Sequence, residues 1–210
     1  MKQILLCLSL LILSNAFSHA FEYQDADLIF QISGNSSFSN AITSATSSSD
    51  SLSFVHVAMV SNSKPESAMV IESSPEYGVR EIPLDQFLDT SIKINGKPGA
   101  VVKRFQDDIN APEIIHMARS FIGQPYDWYY MPDNGMVYCS ELIYESYRDR
   151  EGQTLFKARP MNFRASDGSM PEFWSTLYKN LGIDVPEGIP GTNPNDMSKD
   201  PRLIEVFRYF

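Results

Sequence analysis

The sequence is poor in the residues that build disulfide frameworks and metal sites. Its 210 residues include two cysteines and three histidines. Cys7 lies in an N-terminal segment that we predict is removed, which leaves one thiol, Cys139, and no internal disulfide. His116 has no Cys, Asp or Glu at the spacing of zinc ligands. We therefore expect no metal and no cofactor.

Basic residues are also scarce relative to acidic ones. The chain has 17 Lys and Arg against 26 Asp and Glu, and its formal net charge is −9 at pH 7. A protein that binds nucleic acid neutralises phosphate groups with a basic surface, and no cluster of Lys or Arg occurs in the sequence. Nucleic acid is therefore not an expected partner.

Long hydrophobic runs are absent beyond the first twenty residues. Within them, Lys2 precedes an apolar run from Ile4 to Leu13, and Ser18-His19-Ala20 has the small-x-small form of a cleavage site. The run is too short to span a bilayer, which takes about 20 apolar residues. We predict a signal peptide over residues 1–20 with cleavage after Ala20, no transmembrane segment, and a mature protein that is secreted or periplasmic.

Residues 21–210 show no internal repeat, heptad pattern or long linker, so they are expected to form one domain. Apolar β-branched runs predict strands, and apolar residues at helical spacing predict helices. Polar or Pro/Gly-rich loops are expected over 47–53 and 186–201. The predicted strands are Asp27–Ile32, Phe54–Val60, Ala68–Ser73, Val79–Ile82, Ala100–Phe105 and Leu203–Arg208, and the predicted helices are Ser36–Thr46, Leu84–Leu88, Glu113–Ile122, Cys139–Arg150 and Pro171–Leu181.

Two of these strands carry a histidine and a glutamate that a hairpin would bring together. Residues 62–66 have turn chemistry, so the flanking strands are expected to pair antiparallel. A turn symmetric about Lys64 places His56 directly opposite Glu72, where the carboxylate accepts a hydrogen bond from one ring nitrogen and leaves the other as a base. A register slip of one residue would put the two side chains on opposite faces.

Cys139 begins a predicted helix, on the face that also carries Leu142 and Ile143. The partial positive charge of a helix N-terminus stabilises a thiolate, and its free N–H groups suit an oxyanion hole. With His56 and Glu72, Cys139 would complete a nucleophilic triad. A structural reading stays open for both groups: a free cysteine often serves as a small core hydrophobe, and a lone histidine in an apolar strand is often satisfied by the backbone.

Several segments occur in the order found in one enzyme family. They are Asp27-Leu28-Ile29-Phe30-Gln31, residues 36–46, His56-Val57-Ala58-Met59-Val60, Glu72-Ser73, Gly123-Gln124-Pro125-Tyr126-Asp127 and Tyr138-Cys139-Ser140-Glu141-Leu142. Over roughly residues 27–150 the chain resembles the circularly permuted papain-fold amidases, the YiiX/YebB-like branch of the NlpC superfamily. In that family the histidine strand precedes the cysteine helix, as it does here.

The resemblance implies an α+β papain-like fold of the permuted NlpC type, with an antiparallel sheet or barrel packed against the cysteine helix. It implies Cys139 as nucleophile, His56 as base, Glu72 as the third member and Tyr126 as a substrate-binding residue. The implied reaction is hydrolysis of an amide through an acyl-enzyme, with a small peptide-like or acyl-amine substrate of cell-wall or lipid origin. A lipid acyltransferase or thioesterase on the same fold, or a catalytically silent binding module, remain alternatives.

Overall fold

The computed structural model describes residues 21–46 and 52–210. The predicted signal peptide and most of the predicted loop over 47–53 lie outside the described residues. The strands are β1 (Leu28–Ile32), β2 (Phe54–Asn62), β3 (Met69–Ser74), β4 (Gly78–Pro83), β5 (Lys93–Ile94), β6 (Lys97–Pro98), β7 (Ala100–Phe105), β8 (Arg159–Pro160), β9 (Pro190–Gly191) and β10 (Leu203–Arg208). The helices are α1 (Ser37–Thr46), α2 (Leu84–Asp89), α3 (Ala111–Ser120), α4 (Cys139–Ser146), α5 (Glu172–Leu181) and α6 (Pro194–Ser198), and a 3-10 helix spans Pro65–Ser67.

The predicted strands and helices are all present, with ends that differ by a few residues. The largest difference is in α4, which ends at Ser146 because Tyr147 leaves the helical conformation and its buried hydroxyl donates to the Ala26 carbonyl oxygen at 2.8 Å. The loop predicted over 186–201 is wrong in part, since it contains β9 and α6. The start of α6 has a recognisable signal: the Asn193 side chain caps the helix and Pro194 follows it.

Six strands form one antiparallel sheet in the order β10-β7-β1-β2-β3-β4. Both faces of this sheet are buried. In β1, Leu28 and Phe30 pack in the core that includes Leu142 of α4, whereas Ile29 packs in a second core that includes Phe87 of α2. Burial on both faces explains why the central strands are nearly continuous apolar runs. The fold is thus α+β with an antiparallel sheet against the cysteine helix, as predicted.

The hairpin of β2 and β3 forms as predicted, but its register differs. Val60 lies opposite Val70 and Met59 opposite Ile71, so the pairing is shifted by two residues from the prediction. The 3-10 helix and a register irregularity between Val60 and Asn62 account for the shift. The prediction that His56 lies directly opposite Glu72 is therefore wrong. Because the side-chain period of a strand is two, the shift nevertheless leaves both side chains on one face.

Asn195 of α6 anchors the start of β2. Its buried side chain accepts a hydrogen bond from the Phe54 backbone N–H at 2.7 Å and donates to Thr46 Oγ1 at 2.7 Å. One amide thus joins the end of α1 to the strand that carries His56, two residues after Phe54. A residue from the C-terminal region therefore helps to position the histidine strand.

Within residues 21–46 and 52–210, no helix combines the length and the apolar character needed to cross a membrane.

Gly78 joins β4 to the loop that contains Tyr126. Its φ is +67°, and a Cβ added there would lie 2.3 Å from the Gln124 carbonyl oxygen. The approach is close because Val79 N–H donates to that oxygen at 2.9 Å and Gly123 N–H donates to the Val79 oxygen at 3.0 Å. Only glycine has both the backbone freedom and the missing side chain that this contact requires.

Replacement of Gly78 by alanine should therefore destabilise the protein more than the same change at Gly96. Both glycines have positive φ, but a Cβ at Gly96 would meet no atom within 4 Å. We expect Gly78→Ala to lower the free energy of unfolding by about 1–3 kcal/mol more than Gly96→Ala, the usual cost of overpacking. Urea denaturation of both variants measures the difference, and equal losses would contradict the contact.

Candidate active site

His56 and Glu72 are in direct contact although they are not directly paired across the hairpin. His56 Nε2 lies 2.6 Å from Glu72 Oε2. Arg80, which is opposite Glu72 on β4, approaches the second carboxylate oxygen, with Nη2 at 2.7 Å from Oε1. Each oxygen of the buried carboxylate thus has a donor. The predicted contact of the imidazole with Glu72 is present, although the two residues are not directly opposite each other in the hairpin.

The environment of Glu72 favours its ionised form. Burial by itself raises the pKa of this carboxyl group. The hydrogen bonds and charges of His56 and Arg80 lower it by more, so the pKa of Glu72 lies below its ordinary value. Sequence reasoning missed Arg80. The signal was available, because continuing the antiparallel pairing from β3 into β4 places Arg80 beside Glu72.

Cys139 is the first residue of α4, as predicted, and its free thiol is buried. Two contacts hold the segment that precedes the helix. Ser73 Oγ on β3 donates to the Val137 carbonyl oxygen at 2.6 Å, and the Tyr138 N–H donates to Glu141 Oε2 at 3.2 Å. Since Ser73 is next to Glu72 in β3, the first contact fixes the start of the cysteine helix against the strand that carries the carboxylate.

The Cys139 thiol lies close enough to the His56 imidazole to raise its pKa. Glu72 engages Nε2 of the same ring, which leaves Nδ1 without that partner. Burial lowers the pKa of His56, but the hydrogen bonds to Cys139 and Glu72 and their charges outweigh it and raise this pKa to about 10. The imidazole is therefore placed to hold a proton between a thiol and a carboxylate.

Glu141 lies two residues after Cys139 in the cysteine helix. The residue is buried, and burial, the largest effect, raises its pKa to about 8 despite the hydrogen bond from the Tyr138 N–H; nearby Asp127 and Glu145 raise it further. A protonated Glu141 at neutral pH adds no negative charge near the sulfur.

Two spaces border the Cys139–His56 pair. A cavity of about 210 Å³ is lined by Cys139 together with Tyr126, Tyr130 and Trp174. A groove of about 560 Å³ is lined by His56 and Glu72, and Tyr126 borders it too. We define these as the thiol cavity and the imidazole groove. Tyr126 thus borders both spaces, with its hydroxyl 3.2 Å from that of Tyr130.

Comparison with known proteins identifies relatives over almost the full length of the chain. The chain is 29% identical over 210 residues to protein YiiX of Escherichia coli strain K12, with 98% of this chain and 96% of that protein covered. A solved structure, described as the metalloprotein yiiX from Escherichia coli O157:H7, matches with a TM-score of 0.71 and 25% identity, covering 90% of this chain and 98% of the other.

The described residues of this chain do not form an evident site for a resident metal ion. Over 21–46 and 52–210, no group of three or more His, Cys, Asp or Glu side chains is placed to hold one. The two oxygens of Glu72 face His56 and Arg80, so Glu72 does not add a free ligand to Cys139 and His56.

The family match covers more of the chain than the resemblance that the sequence motifs revealed. The profile of the permuted papain-like amidase enzymes, the YaeF/YiiX or C92 family, matches residues 22–207, whereas the recognisable motifs end near residue 150. The C-terminal sixty residues therefore belong to the same family unit as the cysteine helix. On its match from residue 22 to residue 207, the chain belongs to the family of permuted papain-like amidases.

Proposed function

We propose that this protein is an exported cysteine hydrolase that cleaves an amide bond, with Cys139 as nucleophile, His56 as base and Glu72 as the orienting group. The observation that carries the proposal is the 2.6 Å contact between the His56 imidazole and Glu72, beside a thiol close enough to raise the pKa of that imidazole. Cys139 is also the first residue of α4, where the free N–H groups of a helix N-terminus suit a developing negative charge.

In the first half of the reaction, the proton of the thiol lies on His56 and the sulfur attacks the amide carbonyl carbon. The C–N bond breaks as the imidazolium delivers its proton to the departing nitrogen, which leaves an acyl group on Cys139. The N–H groups of the first turn of α4 lack intrahelical acceptors, so they suit the negative oxygen of the tetrahedral intermediate. Glu72 stabilises the imidazolium, as a carboxylate does in a nucleophilic triad.

In the second half, His56 removes a proton from water, and the resulting hydroxide attacks the acyl carbon. The C–S bond breaks, the carboxylic acid leaves, and the proton returns from His56 to the sulfur. The proposed substrates are cell-wall peptides or acylated amines, and Tyr126 forms part of the surface that they contact. Residues 1–20 are proposed to direct export to the periplasm or the medium.

The test is to trap the acyl-enzyme. The protein is incubated with separate panels of muropeptides, N-acyl amines and acyl esters, quenched in acid and analysed by mass spectrometry with peptide mapping. We expect an acyl adduct on the peptide that contains Cys139 and none on Cys139→Ala. The panel that yields the adduct identifies the substrate class, and an ester-only adduct would favour a thioesterase or acyltransferase. If every panel leaves Cys139 unmodified, the amidase proposal fails.

Cys139→Ala should abolish turnover with little loss of stability. Removing one buried sulfur is comparable to removing one methylene, about 0.8 kcal/mol, whereas loss of the nucleophile should lower kcat by on the order of 10⁴-fold or more. The three residues act as a unit, so adding His56→Ala and Glu72→Ala to Cys139→Ala should reduce kcat barely further. Additive losses in these kinetics would contradict a triad.

The pH profile of kcat/KM should report the raised pKa of His56. Because this pKa lies above the ordinary value of about 6.5, the imidazolium persists as pH rises and is lost only near pH 10, where the alkaline limb is expected. Glu72→Gln removes a charge that raises this pKa, so the limb should move to lower pH by about 1–3 units.

Glu81→Gln is the matched control for Glu72→Gln. Glu81 lies next to Arg80 in β4 but pairs with Arg119 and Ser61 instead, so its loss should leave the alkaline limb in place. A shift of the limb in both variants, or in neither, would show that Glu72 does not set the protonation of His56.

A further inference from the structure

A separate cavity of about 460 Å³ is lined by four basic side chains. They come from two segments, 157–159 and 199–202, so they do not form a run of Lys and Arg in the sequence. The chain as a whole has 26 acidic residues against 17 basic ones. A concave site with one sign of charge attracts ligands of the opposite sign. We define this space as the basic pocket, and its four basic residues are Lys157, Arg159, Lys199 and Arg202.

Two carboxylates line the same pocket, and each already has a basic neighbour. Asp200 accepts hydrogen bonds from Arg202, at 2.9 Å from Nε and at 2.7 Å from Nη2. Asp196 lies 3.9 Å from Nη1 of Arg159, which is a long distance for an ion pair. Four basic and two acidic side chains leave the pocket with a local charge of +2.

The two lysines supply this excess of positive charge. In the part of the chain that the structure describes, neither Lys157 nor Lys199 forms an ion pair. The hydrogen bonds from Arg202 lower the pKa of Asp200, and the charge of Lys157 lowers it further, so Lys157 lies near this pair. Both lysines are exposed. They can therefore contact an anion without first breaking an ion pair.

The basic pocket is attached to the cysteine helix through Thr192. Thr192 lines the pocket, its Oγ1 donates to Ser140 Oγ at 3.1 Å, and its N–H donates to the Tyr138 hydroxyl at 2.9 Å. These two partners flank Cys139 in the chain. The residues that border both the basic pocket and the thiol cavity are Arg159, Gly191, Thr192, Asn193 and Asp196. A molecule with an anionic group in the basic pocket can therefore extend to the sulfur.

The charge and the donors of the pocket fit a phosphate monoester. Such a group carries about −1.5 to −2 charges at pH 7, which matches the local charge, whereas one carboxylate would neutralise half of it. A guanidinium presents N–H groups that match phosphate oxygens, and lysine adds a compact positive charge. Among the described residues Arg159 has no hydrogen-bond partner and only the long contact to Asp196, so its N–H groups can bind a ligand.

We propose that the basic pocket binds a phosphate monoester group of the substrate, so that the substrates of this protein are phosphorylated amides. The ligands of the phosphate are Arg159, Lys157 and Lys199, and Arg202 is a fixed part of the wall. The assignment rests on the proposed function where it names the bound molecule as the substrate of Cys139. The binding of phosphate itself does not require turnover.

A binding test titrates the ¹⁵N-labelled protein with inorganic phosphate, phenyl phosphate, succinate and acetate at constant ionic strength. We expect both phosphate compounds to shift the backbone N–H signals of Thr192 and Asn193 saturably. Their Kd should be about tenfold lower than that of acetate, because two more charge-assisted contacts are made. Equal Kd values for all four anions, or a lower Kd for succinate than for phosphate, would overturn the phosphate site.

A double variant tests the two lysines. Lys157→Gln with Lys199→Gln should raise the Kd of phenyl phosphate about tenfold through the loss of two exposed charged contacts. The matched control is Lys97→Gln with Lys179→Gln, which removes the same charge from exposed lysines that do not line the pocket. The control should leave the Kd within about twofold. An equal rise in both double variants would indicate a general effect of net charge and overturn the site.

A kinetic test distinguishes phosphate carried by the substrate from free phosphate. It compares N-hexanoyl ethanolamine with its phosphate monoester, and hexanamide with 6-phosphooxyhexanamide, by mass spectrometry of the products. In at least one pair, phosphorylation should raise kcat/KM about tenfold, and the Lys157→Gln and Lys199→Gln double variant should remove this advantage. If phosphate binds but neither phosphorylated amide is favoured, the pocket is a site for free phosphate and the substrate assignment is overturned.

The two tests fail in different ways. Hydrolysis of the unphosphorylated amides without saturable binding of phosphate would leave the hydrolase in place and reject the phosphate site. Binding that the lysine variants weaken, in a protein that yields no acyl adduct on Cys139 with any amide, would support the phosphate site and reject the hydrolase.

Discussion

The candidate site depends on one buried carboxylate that is shared by two cationic partners. Glu72 is almost completely buried, and its two oxygens face His56 and Arg80 separately. A buried charge is tolerated only where partners compensate for its lost hydration, and removal of one partner is costly because it leaves the other charge unpaired. Arg80 can keep Glu72 ionised whether or not His56 carries a proton. The imidazole can therefore gain and lose its proton beside a constant negative charge, which is what a base in acyl transfer requires.

The antiparallel sheet makes this arrangement possible because three consecutive strands carry the three groups. His56, Glu72 and Arg80 lie on β2, β3 and β4, and antiparallel pairing brings them together on one face. The cysteine helix then meets the sheet through Ser73, whose hydroxyl donates to the segment that precedes Cys139. In this chain the histidine strand comes before the cysteine helix, so contacts between elements that are distant along the chain, and not chain order, assemble the thiol and the imidazole.

The C-terminal region contributes to the site in two ways that its sequence pattern did not predict. Asn195 holds the start of the histidine strand through hydrogen bonds to Phe54 and Thr46. Residues near Met161 and Trp174 border the thiol cavity. In both roles, side chains of the C-terminal region lie against residues of the N-terminal half of the chain. The match of the family profile to residue 207 agrees with a C-terminal region that is part of the fold.

The amino-acid sequence by itself determined the six strands of the main sheet and the face that His56 and Glu72 share. Apolar runs of period two and helical spacing predict the six strands of the sheet and place His56 and Glu72 on one face, because a strand repeats every two residues. The same reasoning places Cys139 at the start of its helix. Tertiary structure decided the rest. The 3-10 helix Pro65–Ser67 set the hairpin register two residues away from the symmetric turn. Register and cavities arise from contacts between separate segments, and a local sequence pattern contains no information about the distance between them.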